Sequence, residues 1–123
     1  MADRGTRVVD RPLQPDELRL LQWLIDQSHA REALRTQLPG LKVVGECPCG
    51  CASFDLEPMR GDARPAVGDA QVRFAFDRSG PIFCDGLLWV SGGWLAGVDL
   101  VSQGDCPPCR LPSPEDIEEV VPC

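Results

Sequence analysis

The sequence has one histidine, few basic residues and no long apolar run, and each shortage excludes a class of function. Twelve Lys and Arg stand against nineteen Asp and Glu, a formal net charge of −7. Nucleic-acid binding depends on Lys and Arg that displace counterions from phosphates, so we expect no binding to nucleic acid. The charge suits a basic protein partner, although plain solubility is the more usual reason for such a charge.

The longest apolar run, residues 87–90, is far too short to span a membrane. The first twelve residues contain several charged side chains and no long apolar stretch, so we expect no secretory signal. The sequence therefore predicts a cytoplasmic protein without membrane association. In that reducing compartment, seven cysteines indicate metal or redox chemistry before structural disulfides. Their odd number also prevents complete pairing within one chain.

Signatures of catalysis are equally scarce. The only histidine, His29, lies at an expected helix break, where a capping or surface role is more usual than that of a base. The sequence has no phosphate-binding glycine-rich loop, no Gly-x-Ser-x-Gly and no His-Glu-x-x-His. Asp55, Asp85 and Asp99 fall on or near predicted strands, and Asp99 between two apolar residues marks a solvent face. We therefore expect a protein that is not an enzyme.

The N-terminal part has the apolar period of helices. Pro15 suits the first position of a helix, and apolar residues then recur on one side of the helical wheel. These residues are Leu18, Leu20, Leu21, Leu24 and Ile25, with Trp23 at the margin of the stripe. A break at Ser28 and His29 leads to a second short helix, which Pro39 and Gly40 end.

From residue 42 onward the apolar period becomes two, which is typical of strands. Strands are predicted at residues 42–44, 53–56, 72–76, 87–90 and 94–101, with a loop at 58–68. Gly92 and Gly93 favour a tight hairpin turn between the last two strands, because such turns need positive φ. Ser113 and Pro114 resemble a helix start, which predicts a short terminal helix unless the acidic tail frays.

The fold class that follows is α+β, with two N-terminal helices packed on an antiparallel sheet of about four or five strands. We expect one domain over residues 1–123. Residues 1–14 and 112–123 are expected to be flexible ends.

Five cysteines have the spacing of metal ligands. Cys47, Cys49 and Cys51 lie within five residues, and Cys106 and Cys109 have the usual spacing of a zinc-ligand pair. Two of the first three, with the later pair, would complete a tetrahedral Cys₄ site. Zinc is therefore the candidate cofactor, although thiolates also accept copper(I). Unliganded thiols, or disulfide and redox use, are the alternatives.

The other cysteines and the hairpin tryptophans have simpler interpretations. Cys84, alone in an apolar stretch, is expected in the core, and Cys123 is expected to be a mobile free thiol. Trp89 and Trp94 would lie diagonally on one face of the hairpin, within reach of each other. Core packing beneath the helices is one interpretation of this pair, and an aromatic patch that binds a partner protein is the other.

Three segments occur together along the chain. They are ALRTQL at residues 33–38, the motif Cys47-Pro48-Cys49-Gly50-Cys51, and the hairpin with LLWV at 87–90 and GWL at 93–95. The combination resembles a group of uncharacterised small proteins of high-GC bacteria that carry a Cys-x-Cys-Gly-Cys motif. The resemblance covers roughly residues 16 to 101 and implies a fold without an activity. Cys106 and Cys109 depart from the pattern of that group.

Two functions follow from these observations. The first is a small acidic binding or accessory protein, such as an immunity-type inhibitor, without enzymatic activity and with a structural zinc site. The second is a thiol-based metal-handling or redox protein whose clustered cysteines are the active groups. Emptying a structural site should unfold the protein, whereas emptying a working thiol site should leave the fold intact.

Overall fold

The computed structural model describes residues 7–47, 52–77, 84–102 and 110–122, which form one antiparallel sheet with helices on one face. The strands are β1 (Arg7–Pro12), β2 (Lys42–Glu46), β3 (Phe54–Glu57), β4 (Val72–Phe76), β5 (Cys84–Ser91), β6 (Trp94–Ser102) and β7 (Ile117–Pro122). The helices are α1 (Pro15–Gln27) and the short α2 (Arg31–Arg35), and a 3-10 turn spans Pro114–Asp116. The order across the sheet is β1-β2-β3-β6-β5-β4-β7.

The predicted architecture of two N-terminal helices on an antiparallel sheet of about four or five strands is wrong. The described residues form seven strands. Among them, α1 is the only helix that extends well beyond one turn. The two strands absent from the prediction, β1 and β7, are the edge strands of the sheet. Edge strands are paired on one side only and are solvated, so they lack the clear apolar alternation of inner strands.

The C-terminal segment shows how local signals mislead at such an edge. Ser113 and Pro114 do begin a turn of 3-10 helix, as the start signal suggests. The predicted terminal helix is nevertheless wrong, because Ile117 continues directly into β7, which pairs antiparallel with β4. The isoleucine and two valines of β7 favour a strand once a pairing partner is present.

Helix α1 forms where the sequence predicts it. Pro15 occupies the first turn, and the Glu17 carboxylate accepts a hydrogen bond from the Gln14 backbone N–H at 2.8 Å. The residues it buries completely are Leu20, Leu21, Leu24 and Ile25. The predicted break is confirmed, since Ser28 has an extended backbone and its Oγ donates to the Ala70 carbonyl at 2.7 Å. In the described part of the chain, no helix is long and apolar enough to cross a membrane.

The core lies between the helices and the face of the sheet that they cover. Along β4, Val72, Phe74 and Phe76 are buried, and the two phenylalanine rings stack with centroids 6.1 Å apart. Phe74 is opposite Gly86 of β5. A Cβ on Gly86 would come within 2.1 Å of the Phe74 ring, so the ring occupies the space that any larger residue would need.

The β5–β6 hairpin has the predicted two-residue glycine turn. Gly92 and Gly93 have φ of 58° and 91°, and Ser91 is opposite Trp94. The register then shifts by one residue at a bulge between Trp89 and Val90. Such a bulge increases the local twist of the hairpin.

A buried glutamine attaches this hairpin to the long loop between β3 and β4. Gln37 is fully buried, and its Nε2 donates to the carbonyls of Arg64 and Gly93 at 2.8 and 2.9 Å. Its Oε1 accepts from the Leu95 N–H at 2.8 Å. Because the amide satisfies three backbone groups at once, it fixes the loop against the hairpin without leaving a buried polar group unpaired.

Candidate functional site

At one end of the sheet, which we call the cysteine end, β2 and β6 finish while β3 and β5 begin. β2 ends one residue before Cys47, and β6 ends at Ser102, which is paired with Cys84 at the start of β5. Ser53 Oγ accepts a hydrogen bond from the Leu100 N–H at 2.8 Å, which attaches the start of β3 to the last part of β6. The chain therefore enters segments 48–51 and 103–109 from the same end of the sheet.

Only one of the five cysteines predicted as zinc ligands belongs to the described residues. Cys47 follows β2 and is half-buried. Outside the described residues lie Cys49, Cys51, Cys106 and Cys109. Among the residues that the structure does describe, no group of three His, Cys, Asp or Glu side chains could hold a metal ion. The Cys₄ site stays a prediction. The fold adds that the described residues on either side of both cysteine segments lie at the same end of the sheet.

Arg110, the first described residue after the later cysteine pair, is also held at the cysteine end. Its guanidinium donates to Asp116 at 3.0 Å and to Asp77, directly after β4, at 3.4 Å. The hydrogen bond to Asp116 is the main cause that raises the pKa of Arg110. The pKa of Asp116 is lowered, first by the Ser113 backbone N–H and then by Arg110. These contacts fix the position at which the chain leaves the second cysteine segment.

Cys84 lies at the cysteine end, at the start of β5, whereas His29 lies just after α1. Cys84 is 4% exposed, which confirms its predicted place in the core. His29 is exposed, one residue beyond the end cap of α1. Cys123 lies outside the described residues.

The face of the sheet away from the helices, which we call the outer face, combines acidic and apolar side chains with a basic side chain, that of Arg73 on β4, which is opposite Leu87. Because side chains alternate along a strand, β5 places Asp85 and Leu87 on this face, and β6 places Asp99 and Val101 there. The register sets Asp85 opposite Val101 and Leu87 opposite Asp99. Asp55 of β3 is opposite Gly97, two residues from Asp99. Acids and aliphatic side chains are thus interleaved across three adjacent strands.

Trp89 and Trp94, the two residues of the predicted aromatic patch for a partner protein, are both half-buried. The guanidinium of Arg60 lies over the Trp94 ring, 4.5 Å from its centroid, in a cation–π contact. Nε1 of Trp89 is buried and has no hydrogen-bond acceptor among the described residues. A role for either ring in binding a partner stays a prediction.

The arrangement of acids on the outer face could not be found from the sequence. Asp55, Asp85 and Asp99 each read as a single acid on an outward strand position. Asp85 and Asp99 become neighbours through the β5–β6 hairpin. Asp55 joins them only because β3 pairs with β6, a strand that lies far along the chain. The alternation around Asp99 predicted its face, but the pairing of β3 with β6 is tertiary and could not be predicted from either segment alone.

Comparison with known proteins gives no match of any kind. No family model matches the sequence. Neither a curated protein nor a solved structure matches it. The function is therefore argued from the residues of this chain and their placement.

Proposed function

We propose that this chain is a small acidic binding protein of the cytoplasm, of the accessory or immunity-inhibitor kind, without enzymatic activity. The observation that carries this proposal is the difference between the two faces of the sheet. One face is packed against α1 and forms the core, whereas the outer face presents acids beside exposed aliphatic side chains. A protein partner with a basic surface would complement that face and the net charge of −7.

We also propose that a structural zinc ion at the cysteine end stabilises the fold. Two of Cys47, Cys49 and Cys51 would supply half of the ligands, and Cys106 and Cys109 the other half. The pairing of Ser102 with Cys84 and the bond between Ser53 and Leu100 support this, because they hold the flanks of both segments at one end. A metal there would join the β2–β3 connection to the long connection between β6 and β7.

Chelation of the natively purified protein tests this role. Because a structural zinc ion contributes folding free energy, its removal by a strong chelator should unfold the protein or lower its melting temperature markedly. The double variant Cys106→Ser/Cys109→Ser should behave like the chelated protein. Cys123→Ser, which removes a cysteine outside the proposed ligand set, is the matched control and should leave the melting temperature unchanged. A chelated protein as stable as the untreated one contradicts the structural role.

A thiol-based metal-handling or redox function is the second candidate. It is favoured by Cys47, a half-buried rather than fully buried thiol, in a sequence that holds three thiols within five residues. Thiolates that transfer metal or oxidise must be accessible. This function predicts rapid metal exchange or oxidation with an unchanged fold, which is the opposite of the chelation result above. Genes next to this one would also separate the two, with a toxin gene favouring the first and a metal-response operon the second.

A further inference from the structure

Three carboxylates form a diagonal line across the outer face. Asp55 on β3, Asp99 on β6 and Asp85 on β5 are successive diagonal neighbours in the register of three adjacent strands. Diagonal neighbours lie about 7–8 Å apart, so the line extends over about 15 Å. Each of the three residues also makes an interaction within the chain.

Aliphatic side chains flank this line on both sides. Leu87 is directly opposite Asp99, and Val101, 53% exposed, is directly opposite Asp85. Trp89 continues the apolar strip along β5, and its buried Nε1 lacks an acceptor within the described residues. The outer face of β5 and β6 therefore places half-buried and exposed apolar side chains beside the acids.

The net charge of the chain selects the kind of partner that this face can bind. A second copy of this chain would bring a net charge of −7 and the same acids against this face, which costs free energy. Nucleic acid and anionic membrane are repelled for the same reason. A basic protein surface gains from the same field, because oppositely charged surfaces steer each other into contact.

We propose that the outer face of β3, β6 and β5 is the docking surface for a basic protein partner. Its Lys or Arg side chains pair with Asp55, Asp99 and Asp85. Its aliphatic side chains pack on Leu87 and Val101. This assignment rests on the proposed binding function and specifies the surface and the partner chemistry of that function.

A peptide titration with charge-matched variants tests the surface. The probe is a short fluorescein-labelled peptide in which lysine and leucine are interspersed, titrated by fluorescence anisotropy against the natively purified full chain. Asp85→Asn/Asp99→Asn removes two charges from the outer face. Asp16→Asn/Glu32→Gln removes two charges from exposed positions on the helices. Both variants have the same net charge, so general attraction to a basic peptide affects them equally. Melting temperatures verify that both are folded.

The expected result is a loss of affinity of about five-fold or more for the outer-face variant, since each rim ion pair contributes modestly. The helix variant should stay within about two-fold of the unmodified protein. A second probe with serine in place of leucine should bind the unmodified protein more weakly, and Val101→Ser should reduce that difference. Equal losses in the two charge variants, or no binding of the lysine–leucine peptide, would overturn the assignment of this surface. The chelation experiment is independent of both outcomes, so if the surface fails, the structural zinc site is still tested separately.

Discussion

Arg11 and Glu17 face each other through two hydrogen bonds, of 2.8 and 2.9 Å, between both terminal guanidinium nitrogens and both carboxylate oxygens. Arg11 lies on the edge strand β1, and Glu17, 7% exposed, lies in the first turn of α1. The bond to Glu17 is the main cause that raises the pKa of Arg11. A further bond to Glu46 at 2.9 Å extends this ion pair to β2. The network thus fixes α1 to one edge of the sheet.

Glu17→Gln should lower the free energy of unfolding by about 1–3 kcal/mol, because it removes a charged partner from a partly buried guanidinium. Urea unfolding measures the change. Arg35→Gln is the control, since Arg35 and Asp26 form an ion pair 2.7 Å long with both side chains half exposed. Its loss should cost at most about 1 kcal/mol. If the two variants lose the same free energy of unfolding, the Arg11 network stabilises the protein no more than an exposed ion pair does.

Gln37→Leu should lower the free energy of unfolding by about 2–4 kcal/mol, because it leaves the Leu95 N–H and the Arg64 carbonyl without their buried partner. Gln22→Leu, at an exposed position of α1, is the matched control and should stay within about 0.5 kcal/mol. Hydrogen exchange gives a second readout, since the amide of Leu95 should lose protection in the Gln37 variant. Unchanged protection there would contradict the role of Gln37 as a clamp.

Gly86→Ala should destabilise the protein by about 1–3 kcal/mol or more, because the new Cβ overlaps the Phe74 ring. Shortening that ring in the double variant Gly86→Ala/Phe74→Leu should recover part of the loss, so the two costs should not add. Gly61→Ala provides the control, since a Cβ there meets nothing within 4 Å. Strict additivity in thermal unfolding would show that Phe74 does not fill the space above Gly86.

Stability should fall in acid because two carboxylates have lowered pKa values in the folded protein. The pKa of Glu46 is lowered chiefly by its hydrogen bond from Arg11 and then by that from Arg7, and that of Asp116 by Ser113 and Arg110. The unfolded chain therefore takes up protons at a higher pH than the folded protein. The stabilisation is present above the unfolded values, about pH 4, and is lost as pH falls through the lower folded values.

Glu46→Gln isolates this contribution. Between about pH 5 and pH 3 its melting temperature should fall less steeply than that of the unmodified protein. Glu32→Gln, on the exposed side of α2, should keep the original slope. If the two variants have the same slope, the ion pairs of Glu46 do not contribute to acid sensitivity.

Local signals predicted the elements that local interactions determine. The apolar stripe that ends before Ser28 predicted α1, and Gly92 and Gly93 predicted the hairpin turn. β1 and β7 could not be predicted in the same way, because edge strands derive their stability from partners that are distant in sequence. The pairing of β3 with β6, which aligns Asp55 with Asp99, is non-local for the same reason. Cysteine spacing predicted a zinc site, and only the strand order indicates that the chain enters both cysteine segments from the same end of the sheet.

The most direct test of the proposed structural zinc site is to measure zinc and thiol content together. The protein is purified natively under reducing conditions for this measurement. Of seven cysteines, four would bind zinc and buried Cys84 would react slowly, which leaves two fast-reacting thiols. A structural Cys₄ site therefore predicts one zinc ion per chain and about two thiols that react quickly with a thiol reagent. Protein without metal, in which every cysteine except Cys84 reacts quickly, would contradict the structural site and leave the cysteines without the role proposed for them.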